Sequence, residues 1–229
     1  MKSAVITFPG SNCDRDMDVA LKKFGFKNKM VWHQDVELPK SDLVVLPGGF
    51  SYGDYLRCGS MASKSKIMQS VINFANSGGM VMGICNGFQI LVETGLVPGV
   101  LLRNKYLEFI CKNVFVKINN KDNAYFRKIS KNVLELHIAH NEGNYFCTND
   151  QLKEIEDNTQ VAINYCDPEG KIEEPFNPNG SIKNIAGIFN KEKNVLGMMP
   201  HPERMIDHSL SGEDGSHFFK NLINNLKWL

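Results

Sequence analysis

The residue best suited to covalent chemistry is a cysteine between two glycines. Cys85 lies in a G-x-C-x-G pattern, from Gly83 to Gly87, which follows an apolar run and precedes an apolar helical pattern. This layout is typical of a nucleophile elbow, because small flanking residues permit a strained strand-to-helix turn that exposes the central side chain. A helix N-terminus favours the thiolate, and the N–H of Asn86 can stabilise an oxyanion. The alternative is a structural cysteine in the core, where free cysteine is common.

A nucleophilic cysteine needs a base, and His201 is the best placed of the six histidines. It follows a predicted strand and precedes Pro202 and Glu203. Pro202 biases His201 toward an extended backbone, where residues two apart face the same side, so Glu203 can orient the imidazole. An isolated H-P-E would be interpreted as a surface turn. Together with the cysteine pattern, it predicts a Cys-His-Glu triad.

A pair of glycines follows another predicted strand. Gly48 and Gly49 allow backbone N–H groups to approach a ligand closely, so this loop suits a second oxyanion donor. The segment from Gly48 to Gly53 has the G-x-x-x-x-G spacing of a phosphate-binding loop. However, Asp54 and Tyr55 replace its lysine and its serine or threonine, which argues against nucleotide binding.

Neither histidine nor cysteine spacing favours a metal site. His137 and His140 form an H-x-x-H pair without a third ligand at matching spacing, and no C-x-x-C motif occurs. We therefore predict no metal and no cofactor in this chain. Five cysteines lack a neighbouring His-Glu pair and are predicted to be structural: Cys13, Cys58, Cys111, Cys147 and Cys166. The loop around Cys58 is the exception, since it is expected to border the active site or a partner interface.

The elements that position these residues alternate between strand and helix in the first half. The predicted strands are Lys2–Phe8, Lys29–Trp32, Leu43–Leu46 and Met80–Ile84, and the predicted helices are Asp14–Phe24 and Met61–Asn76. Strands that are apolar throughout are typical of parallel sheets covered by helices on both faces. This pattern predicts an α/β fold.

The second half is richer in strands. These are predicted at Phe109–Ile118, Val133–Ile138, Asn144–Cys147 and Val195–Met199, with a hairpin across Asn179-Gly180 between Glu173–Phe176 and Ile185–Phe189 and a terminal helix over Ser216–Trp228. No repeat or linker interrupts the chain. We therefore predict one domain over residues 1–229, with a mostly parallel central sheet and additional antiparallel strands in its second half.

Composition excludes several classes of protein. The 26 basic and 25 acidic residues give a net charge of +1, which nominates no polyanionic partner. The longest uncharged run, Ile67–Val92, contains polar residues that rule out a membrane-spanning helix, and no secretory signal is evident. Six cysteines without paired spacing are typical of reduced thiols. A cytoplasmic location is expected.

Three motifs together resemble the class I glutamine amidotransferases. They are P-G-G ending at Gly49, G-I-C-N-G-x-Q beginning at Gly83, and H-P-E beginning at His201. The resemblance covers nearly the whole chain. Three longer strings resemble a member of the class that serves de novo purine biosynthesis: Pro9–Asp14, Gly48–Gly59 and Asn177–Ser181. The resemblance implies the class I amidotransferase fold.

The resemblance also implies roles for individual residues. Cys85 would attack the carboxamide of glutamine, His201 would carry the proton to the leaving ammonia, and Glu203 would orient His201. Gly49 and the N–H of Asn86 would form the oxyanion hole. The implied substrate-binding residues are Gly48, Gly49, Asn86, Gln89, Gly143 and Asn144. The chain departs from the family pattern at Asn141, where glycine is more common.

Partners follow from the same resemblance. The ammonia would pass to a separate synthetase subunit, which would bind ATP and Mg²⁺, and a third, small subunit would help to join the two. Two alternatives remain open at this point. The chain could be the glutaminase of another class I amidotransferase, or a non-catalytic scaffold of such a complex.

Overall fold

A computed structural model describes residues 1–209 and 212–226. They form a nine-stranded sheet flanked by helices and a separate two-stranded sheet. The strands are β1 (Lys2–Thr7), β2 (Lys27–Trp32), β3 (Leu43–Leu46), β4 (Met80–Ile84), β5 (Val100–Leu102), β6 (Ile110–Ile118), β7 (Val133–His140), β8 (Asn144–Phe146), β9 (Val161–Cys166), β10 (Ile185–Phe189) and β11 (Val195–Met198). The α-helices are α1 (Asp14–Lys23), α2 (Lys66–Asn76), α3 (Asn86–Glu93), α4 (Asn149–Asp157) and α5 (Asp214–Leu226).

The large sheet has the order β2-β1-β3-β4-β11-β10-β9-β6-β7. Its first five strands pair in parallel, and the remaining neighbours pair antiparallel. Strands β5 and β8 form the second sheet. The predicted α/β fold class, with antiparallel strands added in the second half, is confirmed.

Burial along the strands explains their positions. Every residue of β3, β4 and β11 is buried, which matches their unbroken apolar sequences and their central place in the sheet. Strand β7, at the edge, alternates between buried and half-buried residues. The core therefore extends across the central strands of the sheet, including the fully buried β10, and β7 lies at one edge.

The helices bury one apolar face each, with one exception. Helix α1 buries Met17, Ala20 and Leu21, and the ring of Phe24 stacks on Phe219 of α5 at 5.6 Å between centroids. Helix α3 differs because all residues from 86 to 92 are buried. The helix that begins beside Cys85 is thus enclosed by the fold.

The predicted hairpin across Asn179-Gly180 is wrong. Residues Glu174–Phe176 form a 3₁₀ helix, and β10 pairs with β9 and β11 instead. The Asn177 side chain accepts the Gly180 N–H at 2.8 Å and donates to the Ser181 carbonyl at 2.8 Å. This local turn occupies the groups that a hairpin would have used.

Several element boundaries differ from expectation by a few residues, and some elements were not predicted. Ser65 is extended (φ −64°, ψ 150°), so the helix predicted from Met61 begins at Lys66. Helix α4 and strand β9 were not predicted, although Thr148 and Gln151 form a capping box at the start of α4. The predicted terminal helix matches α5, and its residues 227 and 228 lie outside the described ranges. None of the described helices has the length and apolar character needed to cross a bilayer.

Candidate active site

Four loops meet at one edge of the sheet. Strands β1, β3, β4 and β11 are neighbours and run in parallel, so their carboxyl ends lie together. Cys13, Gly48, Cys85 and His201 follow these strands in that order. Open α/β sheets bind ligands at this edge. The fold thus brings together the cysteine, histidine and glycine motifs that are far apart in sequence.

Cys85 occupies the strained turn that the sequence predicts. It lies between β4 and α3 with φ 50° and ψ −105°. A Cβ at Gly87 would lie 1.9 Å from the Leu46 carbonyl oxygen, and a Cβ at Gly83 would lie 2.6 Å from the Gly87 carbonyl oxygen. Both glycines are needed because helix α3 passes so close to β3 and β4. The elbow geometry is confirmed.

The Cys85 thiol is enclosed and neutral. Its Sγ donates to the Ala139 carbonyl of β7 at 3.6 Å. Burial raises the pKa of Cys85 well above its ordinary value, and the nearby Cys13 and Glu203 raise it further. The Arg204 charge and the Asn86 backbone N–H lower the pKa but do not offset burial. The helix N-terminus does not by itself give a thiolate here, so reaction requires a base.

His201 and Glu203 form the predicted pair. The His201 Nδ1 and Glu203 Oε1 atoms are 2.6 Å apart, and both residues are buried. The contact is confirmed, although the backbone differs from the extended segment expected. Pro202–Arg204 form a 3₁₀ turn that brings Glu203 back under the imidazole.

The His201 ring is oriented for proton transfer. Since the Glu203 carboxylate accepts from Nδ1–H, the Nε2 atom keeps a free lone pair. Nε2 is buried and has no hydrogen-bond partner among the described residues. An orphaned buried acceptor of this kind matches a general base.

Strand β7 sets the spacing of the nucleophile and the base. The His201 N–H donates to the His137 carbonyl at 2.8 Å, and the Cys85 thiol donates to that of Ala139, two residues further along. These carbonyls lie along one edge of β7, which pairs only with β6 in the sheet. Cys85 and His201 are therefore adjacent along this edge.

The two predicted glycines lie beside this pair. A Cβ at Gly48 would be 2.6 Å from His201 Cε1, so only glycine leaves room for the imidazole. Gly49 has φ 136°, and a Cβ there would be 2.7 Å from the Asn12 nitrogen. The Gly49 N–H makes no hydrogen bond within residues 1–209 and 212–226. It is available to a ligand, as an oxyanion donor must be.

Two other predicted substrate-binding residues have their side chains engaged inside the protein. Asn86 Nδ2 donates to Gln89 Oε1 at 2.8 Å, and Asn86 Oδ1 accepts the Ser51 N–H at 3.3 Å. Gln89 Nε2 donates to the Glu142 carbonyl at 2.7 Å. These amides join helix α3 to the turn after β7. A direct contact from either side chain to glutamine stays a prediction.

Gly143 and Asn144 follow that turn. The Gly143 N–H donates to Asn104 Oδ1 at 3.1 Å, and its carbonyl accepts from Asn179 Nδ2 at 2.8 Å. Asn144 Nδ2 lies 3.4 Å from the Arg103 carbonyl. Both backbone groups of Gly143 are thus engaged internally, which leaves the implied backbone contact to glutamine without support from this residue.

Cys13 was not predicted to lie at the site. Arg204 Nη2 donates to its Sγ at 2.9 Å, and Sγ lies within 4.8 Å of ligand atoms on His201 and Glu203. Burial raises the pKa of Cys13 to about 11. Cys13 was predicted to be structural, but it lies beside the His-Glu pair. Its position after β1, on the same sheet edge, is the signal that could have found it.

His137 and His140 are not arranged to share a metal ion. His137 and His140 are three apart in β7, and their side chains point to opposite faces of the strand. Among the described residues, the one group of three possible ligands is Cys13, His201 and Glu203. Arg204 already donates to the sulfur there, and its charge opposes a cation.

The loop around Cys58 borders the turn after β7, which contains Glu142. The Cys58 N–H lies 3.4 Å from Glu142 Oε2, and Phe50 contacts Phe109 with ring centroids 6.2 Å apart. Segments 50–61 and 104–109 are thus in contact with each other, and the first also reaches the turn after β7. That the loop around Cys58 borders the active site or a partner interface stays a prediction.

Comparisons with known proteins agree with this geometry. Residues 1–215 match a family model described as a CobB/CobQ-like glutamine amidotransferase domain. The chain is 81% identical over 227 residues to a phosphoribosylformylglycinamidine synthase subunit PurQ of Pelagibacter ubique, covering 99% of this chain and 100% of that one. A PurQ subunit of Rhodopseudomonas palustris is 49% identical over 99% of both chains. A solved structure of PurLQS from Thermotoga maritima contains a chain with TM-score 0.87 and 39% identity over 98% of both chains.

Proposed function

Because the chain belongs to the CobB/CobQ-like glutamine amidotransferase family, we propose that it is the glutaminase subunit of phosphoribosylformylglycinamidine synthase. It hydrolyses L-glutamine to glutamate and ammonia. The ammonia passes to a synthetase subunit, which converts formylglycinamide ribonucleotide to formylglycinamidine ribonucleotide in de novo purine biosynthesis. The observation that carries the proposal is the convergence of Cys85 with the hydrogen-bonded His201–Glu203 pair at one sheet edge.

The first half of the reaction forms a thioester. Cys85 Sγ attacks the carboxamide carbon while its proton moves to His201 Nε2, and Glu203 stabilises the imidazolium through Nδ1–H. The carbonyl oxygen becomes an oxyanion that accepts from the N–H groups of Gly49 and Asn86. The C–N bond then breaks, and the imidazolium gives its proton to the leaving nitrogen, which departs as ammonia.

The second half regenerates the enzyme. A water molecule replaces ammonia beside His201, which takes one of its protons as the oxygen attacks the thioester carbon. The C–S bond breaks and glutamate leaves. Cys85 sulfur then recovers a proton from the imidazolium, so atoms and charges return to their starting state.

The neutral thiol supports dependence on a partner. Burial holds the pKa of Cys85 far above neutrality, so the free chain has little thiolate. We assign activation to docking of the synthetase subunit, with a small bridging subunit completing the complex. ATP and Mg²⁺ belong to the synthetase in this proposal, because Asp54 and Tyr55 stand where a phosphate-binding loop has its lysine and its serine or threonine. The six unpaired cysteines suit the reducing cytoplasm as the site of the reaction.

Glutamate release, measured with and without the synthetase subunit, tests the proposal. We expect turnover to rise on assembly and to vanish in Cys85→Ala. Cys166→Ala is the control, because Cys166 is equally buried at the end of β9. Full glutaminase activity in Cys85→Ala would refute the assignment, as would ammonia transfer to a different acceptor.

A further inference from the structure

The turn after β7 lies against the nucleophile. The Ala139 carbonyl accepts from the Cys85 thiol at 3.6 Å, and the Glu142 carbonyl accepts from Gln89 Nε2 at 2.7 Å. Gln89 lies one helical turn after Cys85 in α3. Residues 141–143, which we call the β7 turn, are therefore tied to the helix that begins beside Cys85.

Asn104 holds the β7 turn from one side. Its Nδ2 donates to the His140 carbonyl at 2.9 Å, and its Oδ1 accepts the Gly143 N–H at 3.1 Å. Its backbone N–H donates to the Asn141 carbonyl at 2.9 Å. Asn104 is almost fully buried, and Nδ2 also donates to Glu108. One side chain thus spans both ends of the turn.

Asn179 and Ser181 hold the turn from the other side. The Gly143 carbonyl accepts from Asn179 Nδ2 at 2.8 Å and from Ser181 Oγ at 3.2 Å. Asn179 is completely buried. These two residues belong to the Asn177–Ser181 string, which the catalytic mechanism does not use. Both polar backbone groups of Gly143 are therefore fixed by side chains from distant loops.

The shape of the turn is tightly determined. A Cβ at Gly143 would lie 2.4 Å from Cε1 of His140, so the buried imidazole packs directly on the glycine. Asn141 has a negative φ, which explains why the chain tolerates asparagine where the family more often has glycine. Small changes in the side chains that hold this turn would move its backbone relative to Cys85.

We propose that Asn104 and Asn179 are positioning residues that hold the β7 turn in the shape that receives glutamine. Each amide is buried and makes its hydrogen bonds inside the protein, Asn104 to backbone groups and to the His140 ring, and Asn179 to the Gly143 carbonyl and to the side chains of Tyr165 and Ser181. They act through residues 141–143. The inference rests on the proposed glutaminase function and adds to it two residues outside the triad.

The test uses Asn104→Ala and Asn179→Ala in the assembled synthase. We expect KM for glutamine to rise about tenfold in each, with kcat changed less than about threefold, because a turn held by fewer hydrogen bonds samples other shapes. Activity with ammonium chloride in place of glutamine should be unchanged. That readout confirms that the complex is folded and assembled.

Asn221→Ala is the matched control. Asn221 is equally buried, accepts the Lys128 N–H at 2.6 Å and donates to the Ala124 carbonyl, but it lies in α5. It should lose stability without a change in KM. An unchanged KM in Asn179→Ala overturns the proposal, even if Asn104→Ala does not fold. Absence of glutaminase activity in the wild-type synthase would instead refute the proposed function.

Discussion

Gly87 leaves no space for a methyl group where α3 meets β3. A Cβ there would be 1.9 Å from the Leu46 carbonyl oxygen, and this backbone atom cannot move without displacing the strand. We expect Gly87→Ala to lower the free energy of unfolding by about 3 kcal/mol and to abolish glutaminase activity, because the elbow shifts with the helix. Urea unfolding and glutamate release measure the two effects.

The matched substitution is Gly79→Ala at the start of β4. The three atoms nearest to its Cβ would all belong to the ring of Phe74, the first at 2.5 Å, and a side chain can rotate away. It should cost about 1 kcal/mol or less and leave activity intact. Equal losses in both variants would show that the close approach at Leu46 is not what requires Gly87.

Glu203→Gln tests how the imidazole is oriented. The amide keeps the shape of the carboxylate but removes the charge that stabilises imidazolium at a contact of 2.6 Å. We expect kcat to fall between about 10²- and 10⁴-fold while KM for glutamine changes little. Steady-state kinetics of the assembled synthase provide the measurement. A residual kcat within tenfold of wild type would mean that Glu203 does not orient the base.

Thiol labelling tests the state of Cys85 in the free chain. Maleimides react with thiolate, and burial raises the pKa of Cys85, so little thiolate exists at pH 8. Cys111 is the exposed member of the six cysteines. We expect peptide mass spectrometry to show Cys111 modified well before Cys85. Rapid labelling of Cys85 would contradict an inactive free chain.

Local motifs made the triad predictable from sequence, whereas the residues that support it were not. Cys85 has glycines two positions away on each side, and Glu203 is two residues from His201. Cys13 and Asn104, by contrast, make their contacts to residues that are distant in sequence. Arg204 is 191 positions from Cys13, and Gly143 is 39 positions from Asn104. The spacing of residues along a single sequence does not indicate such contacts.

The secondary-structure elements were likewise predictable where a local pattern determines them, and not where distant contacts do. Strands β3, β4 and β11 were predictable because each is an unbroken apolar run, which a strand buried on both faces requires. The segment 173–181 was assigned to a hairpin because Asn-Gly favours that turn. Side-chain hydrogen bonds of Asn177 and Asn179 decide its conformation instead, and their partners lie partly in other loops.

The end of strand β7 makes stability depend on pH. Burial lowers the pKa of His140 from 6.5 to about 3, so the folded chain binds its proton far below the pH at which the unfolded chain does. The contribution of His140 to the free energy of unfolding is therefore complete above pH 6.5 and is lost as the pH falls toward 3. The contribution of His140 has a limiting slope of about 1.4 kcal/mol per pH unit.

Replacing the imidazole tests this contribution. We expect His140→Asn to be less stable at pH 7 but to lose less stability than wild type between pH 6.5 and 4.5, as measured by urea unfolding. His208→Asn is the control, because the side chain of His208 is 80% exposed. An unchanged slope in His140→Asn would show that other groups account for acid sensitivity.

At the scale of the whole molecule, charge is balanced and locally paired. Several exposed ion pairs join neighbouring elements, such as Arg57 with Glu93 and Lys183 with Glu156. Segments 50–61 and 104–109 also carry exposed apolar side chains, including Tyr55, which is 89% exposed, and Leu107, which is 71% exposed. The surface of these two segments is therefore mixed, with apolar side chains beside locally paired charges such as Arg57.

This distribution predicts how assembly with the synthetase subunit responds to salt. A chain of net charge +1 provides little long-range steering, and apolar contact is not screened. We expect the association rate, measured by stopped-flow fluorescence, to change less than about threefold between 20 mM and 150 mM NaCl. Burial of apolar side chains should also give a negative heat-capacity change on binding. A steep fall in rate with salt would mean that charged groups on this chain guide docking despite its balanced total charge. The variant Arg57→Gln would then be the first to examine, because Arg57 lies in the same segment as Tyr55.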